Sequence, residues 1–247
     1  MRTALVTGAA SGIGRAIAMQ LASSGYRVLA VDQHVIIEAE LTQQDNVDTA
    51  TVDLSDFEAC QALVKNFGAG IDVLINNAGF QYVCSIEDFP LEIWQKMQDV
   101  MVTAPFVLTQ AVWPTMKAKG WGRIINVASV HGLVASLYKS SYITAKHGLI
   151  GLTKTTALEG GEHGITVNAI CPGYVRTPLV EKQIAVQARL LNIPEEQVIS
   201  DVMLKNAAIK RLLTPDEVAA MVLYLCTEAA GCVTGSSWTI DQGWTAQ

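Results

Sequence analysis

An α/β fold built on a doubly wound parallel sheet is predicted by three observations. Short β-branched runs alternate with longer segments of helical period. A glycine-rich turn joins the first such run to the first helix. No internal repeat, low-complexity tract or Pro/Gly-rich linker interrupts the alternation. Taken in order, strands are expected at 3–7, 27–32, 47–52, 71–76, 122–127, 165–170 and 237–240. Helical period marks Gly14–Ser24, Phe57–Phe67, Pro90–Lys119 with a break inside it, Tyr142–Gly160 and Pro215–Cys226. Gly25 directly after Ser24 reads as a helix stop, and Thr214-Pro215 with Glu217 close behind reads as a helix start. The segment Thr177–Ala208, between the sixth and seventh strands, departs from this rhythm. Loops at strand C-terminal ends carry the sites of such sheets, so the insertion is expected to form a helical lid over the substrate. A chain of 247 residues would bury roughly 70–75% of its unfolded surface, enough for one domain over 1–247 that needs no disulfide or metal.

Charge narrows the function. A net charge of −6 and a pI near 5.2 argue against nucleic-acid or anionic-membrane partners, which need a basic face. An anionic substrate must therefore meet a local positive pocket. The five cysteines (Cys60, Cys84, Cys171, Cys226, Cys232) are scattered and lack zinc-site spacing, so buried or free thiols in a reducing cytoplasm are expected. His34, His147 and His163 lack metal-ligand spacing, and no base adjoins Cys171 to mark it as a nucleophile. The N-terminus shows no signal-peptide pattern, and no run of about 18 apolar residues suggests a transmembrane helix.

The first strand leads into Thr7-Gly8-Ala9-Ala10-Ser11-Gly12-Ile13-Gly14, which opens a helix. A dinucleotide pyrophosphate needs a tight turn, close backbone approach and a helix N-terminus facing it, and this loop can supply all three. The second strand ends at Asp32, where a carboxylate can accept hydrogen bonds from ribose hydroxyls and would repel a 2′-phosphate; NAD is therefore expected over NADP. Asp53-Leu54 closes the third strand. Asp53 is open to two readings, one beside the adenine and one as a helix N-cap.

Tyr142 and Lys146 are four apart and share a helical face, while Ser129 follows the fifth strand. A phenol with an ordinary pKa near 10 is a weak base at neutral pH. An ammonium about 4 Å away would supply roughly 4 kcal/mol at an effective dielectric near 20, about three pKa units before desolvation takes some back. So lowered, Tyr142 could take a hydroxyl proton while a hydride leaves, with Ser129 holding the oxygen.

Thr7–Gly14, Asn76-Asn77-Ala78-Gly79, Ser129, Tyr142–Lys146 and Pro172-Gly173 together resemble, in order and spacing, the short-chain dehydrogenase/reductase family. The resemblance spans essentially the whole chain. It implies a Rossmann-type sheet of seven strands, usually in a homotetramer, with Asn77, Ala78 and Gly79 steadying the sheet beside the cofactor. It also implies that Pro172, Gly173, Val175 and Thr177 lie along the nicotinamide, and that Lys146 bonds the nicotinamide ribose. One departure stands out. The family usually places an Asn seven residues after the aromatic of the fourth helix, and counting from Trp94 reaches Met101. Met101 can offer a backbone carbonyl to the family's proton relay but no amide, so either the relay is adapted or the register differs.

Ser129–Ser136, Lys139-Ser140, Arg176–Gln183, Gly79-Phe80-Gln81 and Asp241–Ala246 are similar to the branch of that family that interconverts (R)-3-hydroxybutyrate and acetoacetate with NAD. In that branch the residues matching Gln81, His131, Lys139 and Gln183 hold the substrate carboxylate. A small keto acid does need a cation and several donors to clamp it. Read without the resemblance, Lys139 is a solvated loop charge and His131 a satisfied loop residue. Trp244 could close the methyl side of the pocket, or serve a core or a subunit interface. Two other readings remain: a ketoacyl-thioester reductase, which would want a basic residue where Asp32-Gln33 stands, and a catalytically silent NAD-binding protein, suggested by Met101.

Overall fold

The computed structural model describes residues 1–36, 39–67 and 70–246. In chain order it runs β1 (Thr3–Thr7), α1 (Gly12–Ser23), β2 (Arg27–Asp32), α2 (Ala39–Thr42), β3 (Val47–Thr51), α3 (Phe57–Phe67), β4 (Val73–Asn76) and α4 (Leu91–Gln98). A π turn, Asp99–Thr103, follows, then α5 (Ala104–Lys119), β5 (Gly122–Val127), α6 (Ser140–Gly160) and β6 (Ile165–Pro172). The chain continues through α7 (Pro178–Leu191), α8 (Glu195–Gln197), a second π turn (Val198–Met203), α9 (Pro215–Leu225) and β7 (Ser237–Ile240).

All seven strands are parallel, in the order β3-β2-β1-β4-β5-β6-β7. Period-2 alternation sends successive side chains to opposite faces. Ala4 and Val6 pack with Ile17, Leu21, Val218 and Val222 of α1 and α9, whereas Leu5 packs with Cys60, Leu108 and Val112 of α3 and α5. Strands covered on both faces must be apolar throughout, and β1, β4, β5 and β6 are buried along their whole length. The strand order reverses between β1 and β4, which opens a crevice at their C-terminal ends.

The expected strands all form, with shifts at the ends. β4 begins at Val73 because Asp72 is diverted: its carboxylate accepts from the Thr3 N–H at 2.8 Å and pairs with Lys119. β6 runs on through Cys171-Pro172, which pair with Thr239 and Ile240, since a proline at a strand end lacks only a donor. The break inside Pro90–Lys119 is the first π turn. The short α2 has no periodic signal and was not expected. Within 177–208, α7 and the second π turn wrap a small cluster of their own, including Val180, Ile184, Val198 and Met203.

Candidate active site

The glycine loop is held by steric exclusion. Gly8 sits at φ +68°, and a Cβ there would lie 2.8 Å from Asn77 Nδ2 and 2.9 Å from Ala78 Cα. A Cβ on Gly14 would lie 2.1 Å from the Gly8 carbonyl oxygen. The turn is thus as tight as backbone allows, and α1 starts at Gly12, two residues before the expected start. Ser11 makes no side-chain capping bond, so the first-turn N–H groups of α1 face outward without that partner. Asn77 fixes the other wall: its amide donates to the Thr7 carbonyl at 2.8 Å, and Thr7 Oγ1 accepts from the Asn77 and Ala78 N–H groups at 3.0 and 3.1 Å.

Asp32 braces this loop, accepting from the Ala10 N–H at 3.0 Å on one oxygen and from the His34 N–H at 3.1 Å on the other. Each oxygen keeps a further lone pair. Asp32 lines a cavity of about 420 Å³ with Asp53, Leu54, Phe80 and Lys96. The N-cap reading of Asp53 is corrected: Asp56 accepts from the Ala59 N–H, while Asp53 accepts from the Ser55 N–H and hydroxyl, bonds that hold its carboxyl below the usual range. Lys96, which carried no sequence signal, stands 3.7 Å from Asp53.

At the β5 and β6 end, Ser129, His131, Lys139, Tyr142, Gln81 and Gln183 converge on a second cavity of about 120 Å³. Ser129 is buried in extended backbone, its Oγ accepting from the His131 N–H at 3.1 Å. Tyr142 lies on the first turn of α6 and Lys146 one turn on. The expected acidification of Tyr142 is not found. Burial pushes the phenol up to about 12 against a lowering bond with Ser129, and the same burial pulls Lys146 down to about 8. Lys146 Nζ donates to the Val127 carbonyl at 2.8 Å and lies 5.6 Å from the Tyr142 ring centroid. Desolvation is the largest cause of both shifts.

His131 is held neutral, pulled down to about 4 by burial and by the nearby Lys139 and His147; its Nε2 is 2.7 Å from Ser136 Oγ. Lys139 is buried rather than solvated, which draws it down to about 8, and its Nζ donates to the Tyr174 hydroxyl at 3.3 Å. Gln183 Nε2, on α7, donates to Gln81 Oε1 at 2.6 Å, so two amides that drew no notice on residue chemistry alone meet across the pocket. Trp244 stacks on Tyr174 at 5.8 Å and takes the edge of His131 at 5.5 Å, which sets it against two residues that line the cavity. Tyr174 was missed; only its place inside Pro172–Thr177 pointed to it.

Pro172, Gly173, Val175, Thr177 and Ile13 also line this second cavity. Thr177 also caps α7, accepting from the Val180 N–H at 3.3 Å. Met101 is fully buried in the first π turn, its sulfur 3.0 Å from where a Gly79 Cβ would lie, with Lys146 Nζ 3.8 Å from the same point. Met101 therefore packs beside Gly79 at the edge of the site.

A family model described as enoyl-(acyl carrier protein) reductase matches residues 8–245. The chain belongs to the short-chain dehydrogenase/reductase family. The D-beta-hydroxybutyrate dehydrogenase of Rhizobium meliloti (strain 1021) is 48% identical over 259 residues, covering 100% of this chain and 99% of that protein. The protein of the same description from Cupriavidus necator is 44% identical, covering 100% and 98%. Among solved structures, a putative NAD(P)-dependent gluconate 5-dehydrogenase from Beutenbergia cavernae, with NADP bound at low occupancy, superposes with a TM-score of 0.87 at 31% identity, covering 100% and 97%. This short-chain dehydrogenase/reductase is thus an NAD(P)-dependent oxidoreductase. A dinucleotide fits its residues: Gly8, Gly12 and Gly14 put no Cβ of their own between the α1 N-terminus and the crevice, and Asp32 has acceptor capacity to spare. Among the described residues no helix is long and apolar enough to cross a membrane, and no His/Cys/Asp/Glu group is placed to hold a metal.

Proposed function

We propose that this enzyme interconverts (R)-3-hydroxybutyrate and acetoacetate with NAD. The observation that carries the reading is the buried ammonium of Lys139 sharing one small cavity with the Ser129–Tyr142 pair. A cation drawn out of water without a carboxylate partner costs free energy, which an arriving anion would return. Gln81, Gln183 and neutral His131 add hydrogen-bonding capacity around it, and Trp244 would close the methyl side. The similarity to D-beta-hydroxybutyrate dehydrogenases supports the same substrate.

Bound nicotinamide dinucleotide would accept the hydride from C3 in oxidation and return it in reduction. Gly8, Ser11, Gly12, Ile13 and Gly14 would hold the pyrophosphate, Asp32 the adenosine ribose, Asp53 and Leu54 the adenine side, and Lys146 the nicotinamide ribose. Asn77, Ala78, Gly79, Pro172, Gly173, Val175 and Thr177 would complete that wall. Ser129 Oγ would hold the reacting oxygen. Tyr142 Oη would give its proton to the ketone or take it from the alcohol; with its pKa near 12 it stands protonated at neutral pH, set for reduction. In oxidation the phenol must first lose that proton, so rates should climb with pH. The segment 177–208 acts as the lid, and Gln183 carries its closure into the clamp.

The wild-type enzyme should use (R)-3-hydroxybutyrate with a kcat/KM at least tenfold above that for its methyl ester or a 3-hydroxyacyl thioester. Preference for the thioester would transfer the assignment to the ketoacyl-thioester reductases.

A further inference from the structure

We propose that Tyr174 is a fifth contact to the substrate carboxylate, its hydroxyl accepting a hydrogen bond from Lys139 and donating its own proton to the anion. The assignment rests on the carboxylate reading of the pocket and adds to it a residue from the loop after β6.

The Tyr174 ring is held in place by its neighbours. The ring stacks on Trp244 with planes 23° apart, Lys139 Nζ stands 5.5 Å from its centroid, and Trp244 is in turn backed by His131. The Tyr174 carbonyl accepts from the Leu213 N–H at 2.9 Å and from Gln242 Nε2 at 3.5 Å, which pins the backbone. Tyr174 lines the same cavity as Lys139, His131, Gln183 and Tyr142.

A phenol oxygen can accept from an ammonium, but a charged ammonium cannot accept the phenol's proton. That proton must go elsewhere, and among the described residues no hydrogen bond donated by the Tyr174 hydroxyl is found. Burial also raises the Tyr174 pKa, so the group remains a donor across the working pH range. A protonated phenol beside a buried cation, with its donor capacity unspent, suits an anionic oxygen that already pairs with that cation.

The test compares the acid with its methyl ester at saturating NAD. Tyr174→Phe keeps the stacked ring and removes the hydroxyl, so the ratio of kcat/KM for acid over ester should fall about tenfold, mostly through KM for the acid. A role confined to packing would lower both substrates together and leave the ratio within twofold, which would overturn the proposal. Lys139→Ala, measured alongside, separates the two levels of the reading. If it collapses the ratio while Tyr174→Phe does not, Tyr174 is no ligand and the carboxylate site stands. If neither variant moves the ratio, the carboxylate reading fails and the Tyr174 proposal with it. A measurement free of any folding defect uses wild-type holoenzyme carrying 13Cζ-tyrosine: the Tyr174 resonance should shift on titration with (R)-3-hydroxybutyrate. An unmoved resonance at saturation would also overturn the proposal.

Discussion

At the β1 and β2 end of the crevice the walls are backbone: a turn with no space for Cβ atoms at Gly8 and Gly14, an open helix N-terminus, and one carboxylate braced by two N–H groups. At the β5 and β6 end the walls are side chains from segments far apart in the chain, several of them buried and shifted in pKa. The first kind of site tolerates many neighbours but no added carbon atom. The second tolerates small changes of volume but no loss of a polar head. A common ligand can be served by the first, whereas substrate choice requires the second.

Removing the reacting group should have the largest effect and should leave the cofactor end untouched. Tyr142→Phe is expected to lower kcat by roughly 10²–10⁴-fold, the range of general acid–base catalysis, while NADH affinity by fluorescence titration stays within about twofold. Retention of a tenth of the activity would remove Tyr142 from its role.

The converse substitution attacks the backbone-built end. Gly14→Ala puts a Cβ against the Gly8 carbonyl, so unfolding free energy by urea denaturation should fall by about 1–3 kcal/mol and NADH affinity should fall with it. A variant as stable as the parent, with normal NADH binding, would show that the turn is looser than the geometry implies.

Acidity offers a third separation. Burial sets Lys139 near pH 8, so below that pH the ammonium is present to pair with a carboxylate, and above it the charge is lost. KM for the acid should rise above pH 8, approaching tenfold per unit. His131, near 4, is already neutral there, and Tyr142, near 12, and Tyr174, raised by burial, remain protonated. Lys146 titrates near 8 as well, but next to Tyr142 it should affect acid and methyl ester alike. Parallel KM profiles for acid and ester would therefore detach Lys139 from the carboxylate.

The smallest effect is expected at Met101. Its thioether packs on Gly79 beside Lys146, and the π turn forms without an amide at that position. Met101→Asn should leave kcat within about tenfold of the parent, or 1.4 kcal/mol. A hundredfold gain would mark the parent as impaired.

The contrast between the two ends also decides what could be read from the chain. The glycine loop and Asp32 are local signals on a strand–turn–helix unit, and β-branched runs placed every strand to within a few residues. Asp53 stayed ambiguous because Asp53 and Asp56 both precede α3, and only the hydrogen bonds assign the cap to Asp56. Gln81, His131, Lys139 and Gln183 became visible through family resemblance alone, since no spacing rule joins residues that tertiary structure brings together. The Tyr142–Lys146 spacing gives proximity but not the depth of burial, so the size of the desolvation that raises the phenol was not legible in the sequence. Tyr174 had no signal beyond its neighbours, and α2 was too short for periodicity to register.

The most direct test of the functional account follows reduced-nicotinamide absorbance with (R)- and (S)-3-hydroxybutyrate, each with NAD and with NADP. The account predicts turnover with the R acid and NAD at least tenfold above every other pairing, because Asp32 repels a 2′-phosphate and the clamp fixes one face of C3. Equal rates for the two enantiomers, or a preference for NADP, would contradict it.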